Sequence, residues 1–414
     1  MEQFVTDQIT NGLKYLPVNL AKSYFVKKSN EASKAMRKKG FVRGVCHPTN
    51  NYKQLKDANI GWIRTDIPFP FNPDGSRNPS FDAFKSKCES FNKNGIKVMA
   101  VTPYPHSYIE CGIDVKNGDD EKVREIDRLI IRELGHCIQG IQVTNEMGMP
   151  HFTKPLTMDE AVHFIAVQLE DLSKIKGDII VGYNSAGPQA DLHTKLKDYW
   201  QFCDYIGVDI YVGCFDVFGG FMYFFDALIR YLWALTGKPI LVQEFGYISD
   251  GKPKTPEEKK AVLAKYGANS EEHADEIMDS FIEALPERMK EHVKYVCDND
   301  KSRYADLLFR SDIKNHFYCE MPKTTFIPGY PHTPEGQANF FRYIIPHFYE
   351  MPYCCGCIVY CYKDSDTCYI CGQSDCPIET RWGLVDMNDE PKPSYKAVRD
   401  VYGKIKWMDG LSNV

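Results

Sequence analysis

Two glutamates, each closing a short apolar run, are the residues of this chain best suited to chemistry. Glu146 closes IQGIQVTNEMG (138–148) and Glu244 closes KPILVQEFGY (238–247). Both runs read as buried strands that stop at a carboxylate, and the first carboxylate follows Asn145. Two carboxyls facing each other can cleave an acetal. One gives a proton to the leaving oxygen while the other attacks the sugar carbon. The chemistry needs one ionised and one protonated carboxyl at the same pH, so their surroundings must separate their proton affinities. A separation of roughly 5–5.5 Å leads to a covalent glycosyl-enzyme and retention, and a clearly wider one to inversion. A lone strand-end Glu is more often an ion-pair partner or a helix cap. The frame that carries the pair decides between these readings.

That frame is a series of eight apolar runs alternating with helical segments. The runs are FVRGVCHPT (41–49), GWIRTDIPF (61–69), KVMAVTPYPHSY (97–108), 138–148, DIIVGYNSAG (178–187), CDYIGVDIYVG (203–213), 238–247 and YCCGCIVYCYKD (353–364). Between them lie amphipathic stretches such as FDAFKSKCESFNKNG (81–95) and MDEAVHFIAVQLEDLSKIKG (158–177), each ending in Gly, a helix C-terminal signal. Eight βα repeats close naturally into a (β/α)8 TIM barrel of the α/β class, whose strand ends converge on one face. An open doubly wound sheet would be expected to carry a Gly-rich phosphate loop after its first strand, and FVRGVCHPT has none.

Residues 1–40 read as a helical N-terminal extension, with Leu13, Leu16, Leu20 and Tyr24 at helical spacing, and 41–414 as the barrel. The connection after the seventh run is oversized, from about 248 to 330, and contains the charged helical sequence TPEEKKAVLAKYG. An insertion there should lie over the active face, as a lid or as a subunit contact. TPEGQANFFRYIIPHFYEM (333–351) then reads as the ordinary crossover helix. The stretch 215–237 approaches membrane-span length, but Asp226 and Arg230 fall four residues apart in its middle, so a buried or subunit-facing helix is expected.

The chain has 414 residues, 43% of them hydrophobic and 26% charged, which is ordinary for a globular protein. A formal charge of −6 and the lack of a basic stripe argue against nucleic acid. No signal peptide is read at the N-terminus, and 15 cysteines are then expected to be mostly reduced, in the cytoplasm. Cys368 and Cys371 stand in a CxxC spacing with Cys376 close behind, but a second clean CxxC is lacking. No cofactor is expected. Structural zinc at Cys368, Cys371 and Cys376 is the alternative to no metal at all.

The strand ends also supply Arg64, His106, Asn184, Asp209, Tyr211 and Gln243, and together they resemble the glycoside hydrolases of clan A, including families 2 and 5. In that clan an Asn-Glu pair ends strand four and its Glu is the acid/base, while a Glu ending strand seven is the nucleophile. Asn145-Glu146 and Glu244 fall on those positions. The resemblance implies that Arg64 sits beneath the nucleophile and that Tyr211 hydrogen-bonds it. His106, in the phrase PHSY, would belong to the substrate site. The tail TRWGLVDMNDEPKPSYKAV (380–398) is similar to the clan's last loop and helix. Asp209 stands where family 5 commonly has His. The usual strand-eight tryptophan is missing from IVYCYKD, so Tyr360, Tyr362 or Trp382 would replace it.

The resulting expectation is a retaining β-glycosidase acting on a β-linked oligosaccharide or glycoconjugate. Glu146 and Glu244 would be catalytic; Asn145, Arg64, His106, Tyr211, Asn184, Tyr362 and Trp382 would bind substrate. Asn145 is expected to hold the sugar 2-hydroxyl. The partner is carbohydrate, with no nucleic acid and no membrane; a homo-oligomer is allowed for. A transglycosidase with the same site, and a carbohydrate-binding barrel without activity, are the alternatives.

Overall fold

A computed structural model of the chain describes residues 31–116, 118–214, 220–310, 315–321 and 326–412. All eight expected runs are strands: β1 Val42–Cys46, β2 Trp62–Asp66, β3 Lys97–Val101, β4 Gly140–Val143, β5 Ile180–Ala186, β6 Tyr205–Asp209, β7 Ile240–Phe245 and β8 Cys354–Val359. They pair in parallel, in chain order, and close as β8 returns to β1 with Val42 against Gly356. Closure needs the glycine. A Cβ at Gly356 would stand 2.2 Å from the Cβ of Val42. The strands are mostly buried on both faces, apart from end residues such as Asp66 and Lys97, because their outward side chains meet the helices and their inward ones fill the barrel.

The helices begin where the sequence caps them. The side chain of Asn78 caps Pro79–Lys93, and Thr157 with Glu160 forms a capping box on Met158–Ile175. Both helices end just before Gly95 and Gly177, which have positive φ. The crossover helix Pro334–Glu350 sinks Phe340, Phe341, Ile344, Ile345 and Phe348 completely into the core. Each such side chain contributes roughly 1.5–3 kcal/mol of apolar burial. Phe348 packs edge-on against Phe245 of β7 and Phe225, at 5.1 and 5.3 Å between ring centres. Phe348→Ala would therefore be expected to cost about 3–5 kcal/mol.

Of the expected N-terminal extension, only the helix Glu31–Lys38 and the residues after it fall within the described residues. Among the described residues no helix is long and apolar enough to cross a membrane. The 215–237 stretch forms a helix over Phe224–Thr236, and the carboxylate of Asp226 meets His347, 2.7 Å away. Residues 215–219 lie outside the described residues.

Between β7 and the crossover helix the chain builds a helical excursion, beginning with Pro256–Lys265 under a second capping box and including Glu287–Val296 and Tyr304–Phe309. It reaches across to the segment after β4. Lys154 donates to the carbonyl of Tyr295 at 3.1 Å, pairs with Asp298 at 2.5 Å, and lies over the Tyr295 ring. Such exposed contacts are individually weak. They locate the excursion without anchoring it strongly.

Candidate active site

Arg64 is the hub of the strand ends. It points inward from β2, 4% exposed, and its guanidinium serves the ends of two other strands, β4 and β7. Nη1 donates to Glu244 Oε1 at 2.6 Å, Nη2 to Asn145 Oδ1 at 2.6 Å, and Nε to Gln142 Oε1 at 2.7 Å. Burial works against the charge. The acidic groups around it, Glu244 first and then Cys46, Asp209 and Asp66, together hold the Arg64 pKa well above its usual value.

Glu244 lies inside β7, 8% exposed, with a donor on each oxygen. Arg64 takes Oε1, and the Tyr211 hydroxyl donates to Oε2 at 2.5 Å. Burial, and then the negative charge of Glu244, push the Tyr211 phenol up, so it remains a donor. The Tyr211 ring is backed edge-on by Trp382 at 5.3 Å and by Tyr360 at 6.0 Å.

The β4 end is built differently. The strand stops at Val143, so Glu146 lies three residues beyond it rather than at its tip. Thr144 and Glu146 both take left-handed backbone, with φ of 56° and 43°, which costs a non-glycine residue free energy and persists where surroundings enforce it. The enforcement is visible. The Thr144 N–H donates to Thr102 Oγ1 at 3.0 Å, its carbonyl accepts from Gln142 Nε2 at 2.6 Å, and the Glu146 N–H donates to Asn184 Oδ1 at 2.9 Å.

Asn145, 5% exposed, connects the two sides. Its Oδ1 accepts from Arg64, Gln142 and Asn184 at 2.6, 3.0 and 2.8 Å. A guanidinium can only donate, which fixes this atom as oxygen and leaves the amide N–H groups to donate elsewhere. Asn184 also donates to Asp209 Oδ2 at 2.6 Å. Asp209 is buried at the end of β6, and its Oδ1 meets no donor. Instead the Glu146 carboxyl lies against it. Two carboxyls attract only through a shared proton. Burial first, then the charges of Glu244 and Glu146, raise the Asp209 pKa well above the ordinary value. Glu146 and Glu244 thus act on the same group, at one end of the barrel.

Among the expected site residues, Arg64, Asn145, Asn184, Tyr211 and Glu244 form one hydrogen-bonded network, and Glu146 joins it through Asn184 and Asp209. His106 lies at the β3 rim, exposed, stacked on Tyr104 at 5.8 Å; Tyr104 donates to Asp66 at 3.3 Å. Trp382 is only 2% exposed and stands behind Tyr211 and Tyr360, so it backs the site instead of offering a face to a sugar. Tyr362 turns away from the network: its ring is fully buried and its hydroxyl donates to Gln54 at 2.6 Å.

Sequence reading passed over two residues. Gln142 orients both Arg64 and Asn145, and a buried amide inside the apolar run GIQV was its signal. Tyr369, on the loop after β8, is open to solvent, yet the carboxylate of Glu379 and then burial among neighbouring groups, with Glu146 and Glu244, push its phenol up.

An eight-stranded parallel barrel carrying inward carboxyls at its C-terminal strand ends belongs to the (β/α)8 barrels, whose reactions take place on that face. No protein-family model matches the sequence, and no curated protein matches it. The fold is similar to that of the GH53 catalytic domain of Ignisphaera aggregans, with a TM-score of 0.55 and 16% identity over 87% of this chain and 96% of that one. A Parabacteroides merdae β-glucuronidase matches with a TM-score of 0.50 and 12% identity, over 87% of this chain and 37% of its own. A GH2 β-galacturonidase of Eisenbergiella tayi gives 0.48 and 16%, over 88% and 51%. The chain thus spans about half the length of the galacturonidase and a smaller share of the glucuronidase. At these identities the likeness establishes a shared barrel.

Proposed function

We propose that the protein is a retaining β-glycosidase that hydrolyses a β-linked oligosaccharide or glycoconjugate, with Glu244 as nucleophile and Glu146 as acid/base. The observation that carries this reading is the clamp on Glu244. A guanidinium on one oxygen and a phenol on the other hold and aim the carboxylate, while the carboxyl of Glu146 lies at the same end of the barrel beside the buried Asp209. The fold's likeness to a GH53 catalytic domain agrees with it.

The chemistry follows from these atoms. A Glu244 oxygen attacks the anomeric carbon as the glycosidic C–O bond breaks, and Glu146 passes its proton to the departing oxygen. The now ionised Glu146 removes a proton from water, whose oxygen attacks the same carbon and expels Glu244. The saturated Oδ1 of Asn145 turns its amide N–H groups to the sugar 2-hydroxyl, a contact that strengthens as positive charge builds on the ring. Arg64 and Tyr211 need not move during the cycle, which is what preorganised electrostatic stabilisation requires. The excursion after β7, reaching the β4 side through Lys154, serves as a lid over one side of the cleft.

The test is the anomeric configuration of the first product, followed by proton NMR during cleavage of a β-glycoside, with mass spectrometry of protein inactivated by a 2-fluoro glycoside. A β-configured first product and a label on Glu244 are expected. An α-configured product, or a label elsewhere, refutes the assignment.

A further inference from the structure

We propose that the protein holds a structural zinc ion between His316, Cys368, Cys371 and Cys376, cross-linking the excursion after β7 to the loop after β8. The nitrogen and sulfur atoms of these four side chains all lie within 4.8 Å of one another, and the three cysteines are buried. A tetrahedral zinc with bonds of about 2.3 Å to sulfur and about 2.0–2.1 Å to nitrogen has edges of roughly 3.5–3.8 Å. The Cys368 Sγ to His316 Nδ1 distance is 3.6 Å. A Cys3His set closes the tetrahedron, as structural sites do, and soft thiolates with one imidazole select zinc over the hard cations.

The surroundings are those of a ligand shell. The backbone N–H of Cys371 donates to Cys368 Sγ at 3.4 Å, the type of contact that stabilises a thiolate. His316 faces Cys368 with Nδ1 while its Nε2 stands 3.8 Å from the Glu379 carboxylate, the carboxylate–histidine–metal arrangement that orients a ligating ring. A fifth sulfur is nearby. Cys319 Sγ lies 3.9 Å from Cys371 Sγ and accepts from Gln373 Nε2 at 3.2 Å, which places it beside the tetrahedron as a neighbour. All 15 cysteines are free thiols, so no disulfide competes for these sulfurs.

The ion accounts for how these two segments hold together. Residues 315–321 and 365–376 contain no helix and no strand of the barrel. Ordering such segments costs conformational entropy that a metal cross-link can offset.

The experiment is elemental analysis of the full chain purified from zinc-supplemented cells under reducing conditions, followed by cobalt exchange. One zinc per chain is expected. The cobalt form should show thiolate-to-cobalt charge-transfer absorption and the visible bands of a tetrahedral ion. Cys371→Ser and Cys376→Ser should lose the metal, whereas Cys319→Ser should retain it. Should the first two variants fail to fold, the wild-type metal content and the cobalt spectrum still decide. Wild-type protein that carries no zinc and takes up no cobalt overturns the site, and metal loss in Cys319→Ser as complete as in Cys371→Ser overturns this ligand set. Neither result depends on turnover.

Discussion

The β7 and β4 rims of the barrel present the same functional group in opposite ways. Glu244 sits inside its strand, almost fully buried, with a guanidinium on one oxygen and a phenol on the other. Glu146 stands three residues past its strand, partly exposed, on left-handed backbone, with its peptide N–H held by Asn184 and its side chain against Asp209. One is a fixed post, and the other stands partly in solvent. A proposed nucleophile must meet one carbon from one direction, so immobility serves it. A proposed acid/base must serve a departing oxygen and then a water, so contact with solvent serves it. The contrast shows that the barrel need not treat its two carboxyls symmetrically to make them a pair.

The largest effect should come from removing the post. Glu244→Ala is expected to lower kcat by roughly 10⁴-fold or more, the scale for deleting a group from the chemical step. Azide should restore part of the turnover and yield an α-glycosyl azide; hydrolysis at the parental rate would remove the residue from the mechanism. Glu146→Ala should cost roughly 10²–10⁴-fold with poor leaving groups. It should cost far less for glycosylation with a dinitrophenyl leaving group, and azide should then give the β-product. Equal damage with both leaving groups would end the acid/base assignment. Arg64→Met leaves Glu244 buried without its cation, a loss of about 3–5 kcal/mol in denaturant unfolding. Arg64→Lys should not recover kcat, because one ammonium cannot match a rigid fork aimed at Glu244, Asn145 and Gln142. A fully active lysine variant would break that view of the hub.

The smallest and sharpest test concerns Asp209. An unfolded aspartate titrates near 3.9. In the folded protein burial, then Glu244 and Glu146, raise the value well above the ordinary one. Between those two values unfolding releases a proton. Its contribution to stability is therefore complete below about pH 4 and is lost as pH rises through the folded pKa. Asp209→Asn, which imitates the protonated carboxyl, should flatten this decline in pH-dependent melting and reduce kcat/KM less than about tenfold. An unchanged pH slope would mean that Asp209 is already ionised.

The strands were legible from the sequence because each is a buried apolar run, and the βα alternation left little choice of closure. The helix starts at Pro79, Met158, Pro256 and Pro334 follow capping residues that the sequence states openly. The geometry of the β4 rim was not legible. Thr144 and Glu146 adopt left-handed backbone without a glycine, and tertiary hydrogen bonds from Thr102, Gln142 and Asn184 impose it. The Arg64 hub was readable as a charge at a strand end, but its three-way fork depends on which strands face each other. Likewise nothing near His316 in the sequence announces Cys368, because the chain leaves and returns between them.

Sheet closure at Gly356 fixes the circumference of the barrel, and with it the place of every atom borne by a strand. Only the short bend from Thr144 to Met149 stands outside that constraint among the elements bearing the two glutamates. Lengthening or shortening this bend by one residue would shift a single oxygen pair relative to an immobile counterpart. Stereochemical outcome thereby becomes a property of a few loop residues, open to redesign while the scaffold stays intact.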